Sequence, residues 1–589
     1  MSNLRINMHS IVSIKTAGAL ALCAVAAARA DADAVFPPPD YTPQPSQYAS
    51  PRAVKGGAIR AHGGSMPKSL NYLLDNNVFS AQVFGLMYES LLGSDDESGD
   101  HAPGLASKWS VSDDGRSFTF FIDPAARWSD GRPVSADDVR WTFDAIMSPG
   151  NLTGPHKVAL ETFVKTPPEI LAPDAIRFTA AETHWRNLGA AGGFPVLPKH
   201  VFEGRDFNKI NYEFPVVSGS YRRGEIRENI SLKMERRADW WAAGRPQNRG
   251  MFNFDTIEFV FFADANNAFE AFRKGAFDFM PVYSARIWAM NTAGERFDKN
   301  WIVKKSVRNK RPAGFQGFAM NMRRAPYDDV RVRKALAYLL DRKTFNETMM
   351  FGAYFLHRSY FEDLYGDDAP CLNPFFEFAP AKAAALLAEA GWRADPATGM
   401  LVKDGKPLVL RFLSNGPTAD RFLARYKNAL SLVGIGLEIE RKDWAAWARD
   451  MDAYNFEITW AAWSSGVKKD PESMWHSIQA SAPGGNNITG FAAPEVDALI
   501  EKQKTEMSLA ARNEICREID GIITSQVPYI LLWNADATRI LWWNKFGVPD
   551  SIISKYGSAD DALQYWWHDP DSAAALADAM KNGIAIPAP

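Results

Sequence analysis

Between Ala102 and Ile146 the chain spells out a scaffold in one run, APGLASKWSVSDDGRSFTFFIDPAARWSDGRPVSADDVRWTFDAI. Asp113-Asp114-Gly115 makes a tight turn into a strand whose Phe118, Phe120 and Ile122 share one side. Ser135 with Asp138 three residues later is a variant capping box, and the helix it opens places Val139, Phe143 and Ile146 at i, i+4 and i+7. A period of two followed at once by a helical period commits this part of the chain to mixed α/β packing. Nothing in strand, turn or capped helix is catalytic. At 589 residues the chain is also too long for one core and must divide into two or more lobes.

Composition narrows the class. Apolar residues at 46% and charged residues at 23% describe an ordinary globular protein, while 12% aromatics, with 19 Trp and 37 Phe, call for wide interior surfaces or a large cleft. A formal net charge of -3 supplies no basic field, which excludes nucleic-acid binding as the main task.

The N-terminus reads as an export leader. Arg5 and Lys15 precede the apolar run from Ala17 to Ala28, and Ala28-Arg29-Ala30 offers a cleavage pattern before Asp31. The run is shorter than the ~18 residues a membrane span needs. Leu22 before Cys23 argues against a lipoprotein signal. Beyond the leader only Cys371 and Cys516 remain, two isolated thiols rather than a disulfide framework or a metal cage.

Residues 31–55 are proline-rich and read as an extended arm or spacer. Next, His62-Gly63-Gly64-Ser65-Met66-Pro67 forms a turn that can offer backbone N–H groups and the Ser65 hydroxyl to a ligand. Val78, Val83, Met87 and Leu91 then recur at near-helical spacing. The stretch most suggestive of binding is YNFEITWAAWSSGVKKDPESMW, Tyr454 to Trp475. Its first half alternates Phe456, Ile458 and Trp460 against Glu457 and Thr459, as a strand with one buried face does. It then empties through Trp463 into Ser464-Ser465-Gly466. Flat apolar rings beside exposed backbone and hydroxyls suit a pocket that grips an organic ligand without transforming it.

Enzyme motifs are thin. Ser65-Met66-Pro67-Lys68 and Ser465-Gly466-Val467-Lys468 satisfy S-x-x-K, but the companion S-D-N and K-T-G are missing. G-x-S-x-G, H-E-x-x-H, Walker A and G-x-G-x-x-G are also missing. A secreted serine hydrolase is thus the weakest reading. The nine histidines are dispersed, so no metal site and no cofactor are expected, although His62 and His476 could approach a cleft.

Several segments resemble, in order, the extracytoplasmic solute-binding proteins of family 5, the peptide- and nickel-binding subunits of ABC importers. They are GLASKWSVSDDG, WSDGRPVSADDVRWTF, FNFDTIEFVFFADANNAFEAFRKGAFDF, MNMRRAPYDDVRVRKALAYLLDRKTF, PAKAAALLAEAGW and PEVDALIEKQ. The fourth should be a helix burying Val332, Ala335, Leu336, Leu339 and Leu340, and the fifth a helix opening on Pro380 and ending at Gly391. Within the family, RPAGFQGFAMNMRR and AYFLHRSYFEDLYG look most like the YejA-type oligopeptide-binding subgroup. Asp123-Pro124 departs from the family's usual basic residue and glycine at a surface turn.

The resemblance implies an α/β, clamp-like, two-lobed periplasmic binding protein of type II with two hinge crossings. Lobe I would take residues 56–308 plus 537–575, with an extra inserted subdomain near 93–185; lobe II would take 310–536, and 576–589 would be a C-terminal tail. It implies a monomer that captures oligopeptides or peptide-like compounds in the periplasm and docks transiently on an ABC permease, with a metal chelate or other non-peptide solute as the alternative ligand. Trp444 and Trp463 match cleft-lining positions, and Ser464 and Trp533 are assigned to the same cleft. Trp460 falls where some peptide binders carry an arginine for the peptide carboxylate. Where peptide binders often hold an acid for the ligand's ammonium this chain has Gly466, which leaves Asp470 as the nearest acid. Arg311 would bring positive charge to the cleft and Gln316 a backbone-binding amide.

Overall fold

The computed structural model describes residues 33–589; the leader read over residues 1–30 lies outside them. Two lobes form around separate sheets. The first is seven-stranded, in the order Ile302–Val307, Thr538–Trp543, Phe279–Pro281, Ala58–Gly64, Thr256–Phe261, Ser231–Arg236, Tyr221–Arg227. Ala58–Gly64 runs parallel to Thr256–Phe261. Thr538–Trp543, arriving from the far end of the chain, is antiparallel to both Phe279–Pro281 and Ile302–Val307. That sheet is therefore complete only once the C-terminal part of the chain has returned to it.

The other lobe holds a five-stranded sheet in the order Gly436–Arg441, Val409–Ser414, Ile458–Trp463, Phe315–Met320, Tyr529–Leu531. Ile458–Trp463 is interior, parallel to Val409–Ser414 and antiparallel to Phe315–Met320. Its alternation suggests one buried face, yet Thr459 is as buried as Ile458, because the sheet is covered on both sides.

A third sheet, all antiparallel, contains Ala34–Phe36, Ala106–Val111, Ser117–Ile122, Ala175–Thr179 and Glu169–Ala172 in that order. Helix Ala136–Met147 packs on it, burying Val139, Phe143 and Ile146. The capping box is complete: the Ser135 hydroxyl accepts from the Asp138 N–H, and Asp138 accepts the Ser135 N–H at 2.9 Å. The same carboxyl group accepts the Lys199 N–H at 2.9 Å, tying the helix start to that of the short helix Lys199–Phe202.

The proline-rich arm is docked rather than free. Ala34–Phe36 pairs with Trp109–Val111, the Phe36 ring stacks on Trp109 at 6.0 Å, and the buried Tyr48 donates to Glu97 at 2.6 Å. The tail is fastened as well. Helix Pro570–Asn582 buries Leu576 and Ala579, and the Trp301 indole donates to the Ile584 carbonyl at 2.9 Å. The segment expected as one helix through Leu340 is two, Val330–Tyr338 and Arg342–Met349, because Asp341 caps the second through the Thr344 N–H at 3.0 Å. Cys371 and Cys516 are unpaired, and burial pushes the Cys516 thiol up to about 12. No helix among the described residues is long and apolar enough to cross a membrane.

Candidate functional site

The chain crosses between lobes after Val307 and again after Asn534, and the crossings lie side by side. Arg308 grips Asp536 through Nη2 at 2.8 Å, and the Asn534 amide donates to the Gly314 carbonyl at 2.7 Å. Where the first crossing enters the second lobe, a Cβ on Gly314 would sit 2.0 Å from the Trp463 carbonyl oxygen, so only glycine lets the crossing pass this close. A cavity of about 690 Å³ opens beside the crossings, within the range of pockets that hold compact organic ligands. Pro281–Tyr283, Thr538 and Arg539 wall it from the first lobe; Gln316, Tyr354, Glu362, Asp363, Trp463 and Ser464 wall it from the second.

Strand parity decides which tryptophan reaches the cavity. Ile458 and Trp460 share one face of their strand, and Trp460 packs among Phe318, Phe422 and Trp533 with ring centroids 5.7–6.0 Å apart. Trp463 projects from the opposite face. It stands in the cavity wall with its indole N–H donating to the Tyr529 hydroxyl at 3.1 Å, which fixes the ring plane. The next residues, Ser464 and Ser465, also line the wall.

Of the nine candidate residues, Arg311, Gln316, Trp463 and Ser464 line this cavity, and the other five lie off its wall. Trp460 and the buried Trp533 belong to the core beneath it. Both still act on the wall through Gln316, whose Oε1 accepts the Trp460 indole N–H at 2.9 Å and whose Nε2 donates to the Trp533 carbonyl at 2.7 Å. Gln316 is thereby held as a wall, with both ends of its amide engaged. Trp444 is 66% exposed on helix Trp444–Asp452 and stacks on Trp447 at 5.0 Å. Ser65 is exposed just past strand Ala58–Gly64. Asp470 is off the wall, its carboxylate 2.7 Å from Arg186 Nη1. The S-x-x-K reading also lapses at Ser465, since Lys468 reaches for Asp100 at 3.4 Å.

Several wall residues carried no sequence signal. Tyr283 is 80% exposed, and its carbonyl accepts the Tyr354 hydroxyl at 3.1 Å across the gap between lobes. Arg539, only 8% exposed, donates to the Ala353 carbonyl at 2.6 Å and lies 5.0 Å from the Tyr354 ring centroid. Asp363 accepts Lys469 Nζ at 2.5 Å, and that ammonium also donates to Ser465 Oγ and the Gly466 carbonyl at 2.8 Å each. Burial pulls the Lys469 pKa down, against the pull of Asp363.

Away from the crossings the lobes meet again. Trp185 donates its indole N–H to Gln503 at 3.1 Å beneath the Arg512 guanidinium, and Arg186 spans Asp470 and Glu472. His184, Asp470 and Glu472 are close enough to hold a metal ion, but Arg186 at 2.9 Å and Lys504 at 3.0 Å already neutralise Glu472. His184, Lys504 and Arg186 hold the Glu472 carboxyl well below the usual carboxylate range. A second cavity of about 710 Å³ lies beside this contact, walled by Phe36, Trp109, Trp185, Lys468 and Arg512.

Comparison with known proteins places this geometry. The family model for the middle part of bacterial extracellular solute-binding proteins, family 5, matches residues 101–486, more than half of the chain. The chain is 27% identical over 577 residues to the uncharacterized protein YejA of Escherichia coli, covering 91% of this chain and 92% of that one. It is 27% identical over 572 residues to the peptidoglycan-binding protein YepA of Agrobacterium fabrum, with 88% and 91% covered. Its fold matches that of the oligopeptide-binding protein AppA of Bacillus subtilis, solved with a nonapeptide. The TM-score there is 0.70 at 20% identity, covering 88% of this chain and 100% of the other.

Proposed function

From the premise that the chain belongs to the bacterial extracellular solute-binding proteins of family 5, we propose that it captures oligopeptides or peptide-like compounds and hands them to an ABC permease. The observation that carries this reading is the cavity of about 690 Å³ beside the two crossings, walled from both lobes. Closing two lobes on a ligand converts binding energy into a shape the permease can distinguish, without chemistry on the ligand. The walls suit a peptide: a fixed indole at Trp463, a phenol at Tyr283, and loop backbone at Gly314 and Ser464–Ser465 for main-chain hydrogen bonds. YepA, by its name, binds peptidoglycan, which makes cell-wall peptides one natural class to try. Export by a cleaved leader, residence in the periplasm and action as a monomer complete the proposal. A metal chelate has less support, because no histidine lines the cavity among the described residues.

Native mass spectrometry of protein purified gently from its own periplasm, before and after mild unfolding, tests the reading. A released set of masses spaced like short peptides is the expected result. A single non-peptide mass or a metal complex sinks it.

A further inference from the structure

The charged groups around the cavity are unevenly spoken for. Three carboxylates line it, and each is compensated from within the protein. Asp536 is clamped by Arg308 at 2.8 Å. Glu362 accepts the Ser359 N–H at 2.9 Å, stands 3.4 Å from His357 Nδ1, and feels the buried Arg342 guanidinium. Asp363 holds Lys469, whose side chain is only 2% exposed and whose ammonium also donates to Ser465 Oγ and the Gly466 carbonyl. A carboxylate, a hydroxyl and a carbonyl converging on one N–H₃⁺ are what a site for a ligand's α-ammonium would need. Here the ammonium belongs to the chain itself.

The guanidinium groups are placed the other way. Arg311 and Arg539 line the same cavity, and neither has a carboxylate within 4.0 Å among the described residues. Arg539 spends one N–H on the Ala353 carbonyl, which leaves most of its donor fork free. Arg311 engages only through its backbone N–H, which donates to Asn309 at 3.2 Å, and its side chain is exposed to the cavity. The acid that Arg311 does influence, from beyond 4.0 Å, is Asp560, next to the wall residue Ala559. It is exposed, and hydrogen bonds from the Ser558 and Gln82 side chains and the field of Arg311 favour its charged form. Arg539 is buried and Arg311 exposed, and both present guanidinium donors to the cavity that no carboxylate of the chain takes up, which suits an incoming anion.

We propose that this cavity selects acidic ligands whose amino terminus is blocked or absent, Arg311 and Arg539 receiving their carboxylates or equivalent oxyanions while Lys469 fills the ammonium position at Asp363. The inference rests on the peptide reading above and specifies its charge.

Calorimetric titration of the full chain with four matched pentapeptides separates the possibilities. They combine a free or acetylated amino end with two glutamates or two glutamines, all with amidated carboxyl ends. The acetylated glutamate peptide is expected to bind at least tenfold more tightly than the free-amine glutamine peptide. The exposed Arg311→Gln should shrink that ratio several-fold, and Arg311→Lys should restore part of it. Lys469→Met should shift preference toward free amines by releasing Asp363. Equal binding of all four peptides, or preference for the free-amine neutral peptide with loss of binding in Asp560→Asn, overturns the charge inference and leaves the peptide reading standing. Failure of all four to bind removes both.

Discussion

Trp463 shows how much one side chain's position depends on counting. Its indole is held against Tyr529 and presents a ring face to the cavity, so Trp463→Ala should leave the fold intact and weaken ligand binding at least tenfold, about 1.4 kcal/mol. Calorimetry on the variant, with circular dichroism to show an unchanged fold, checks this; unaltered affinity would take the residue out of the site. The two tryptophans three apart were both visible in the sequence, and so was the period of two that sends Trp460 inward with Ile458. Trp533 could not be sorted the same way, since its strand is only two residues long. Arg539 and Asp363 were out of reach for a different reason. Their importance lies in which opposite charges lack or hold a partner, and those partners come from other parts of the chain, such as Lys469 for Asp363.

At the scale of elements, local chemistry was written clearly wherever a cap or a turn fixed it. The Ser135 box starts its helix as the sequence says, and Ser135→Ala should cost about 1 kcal/mol. Hydrogen exchange is the suitable measurement, because amides in Ala136–Met147 would exchange about fivefold faster if they open locally. An unchanged rate would mean that Asp138, through Trp128, Lys199 and the Ser135 N–H, holds the helix start alone. Elements whose status depends on distant partners were harder to read. Ala34–Phe36 lies in a proline-rich segment with no core pattern, and it becomes a strand only because the edge of Ala106–Val111 is open to it. The break between Val330–Tyr338 and Arg342–Met349 was present in the sequence as Asp341, a cap residue inside an apolar run.

For the whole molecule, the contact between lobes away from the crossings should respond to acid. Glu472 is held well below its ordinary 4.5 by His184, Lys504 and Arg186. A carboxyl group depressed by a contact stabilises that contact fully above its ordinary value, and the contribution fades as pH falls below it. Small-angle scattering should therefore show a more compact particle at pH 6 than at pH 4, with the difference reduced in Glu472→Gln; equal radii at both pH values would sink the idea. The crossings carry a further consequence. Arg308 and Asp536 hold the entry and exit of the second lobe at one spot, while the docked N-terminal strand and the fastened C-terminal helix both belong to the other side of the molecule. In the language of splicing, the second lobe is a cassette carried on adjacent ends. A gene encoding it could be cut out or exchanged at those two points with both termini of the host left where they are.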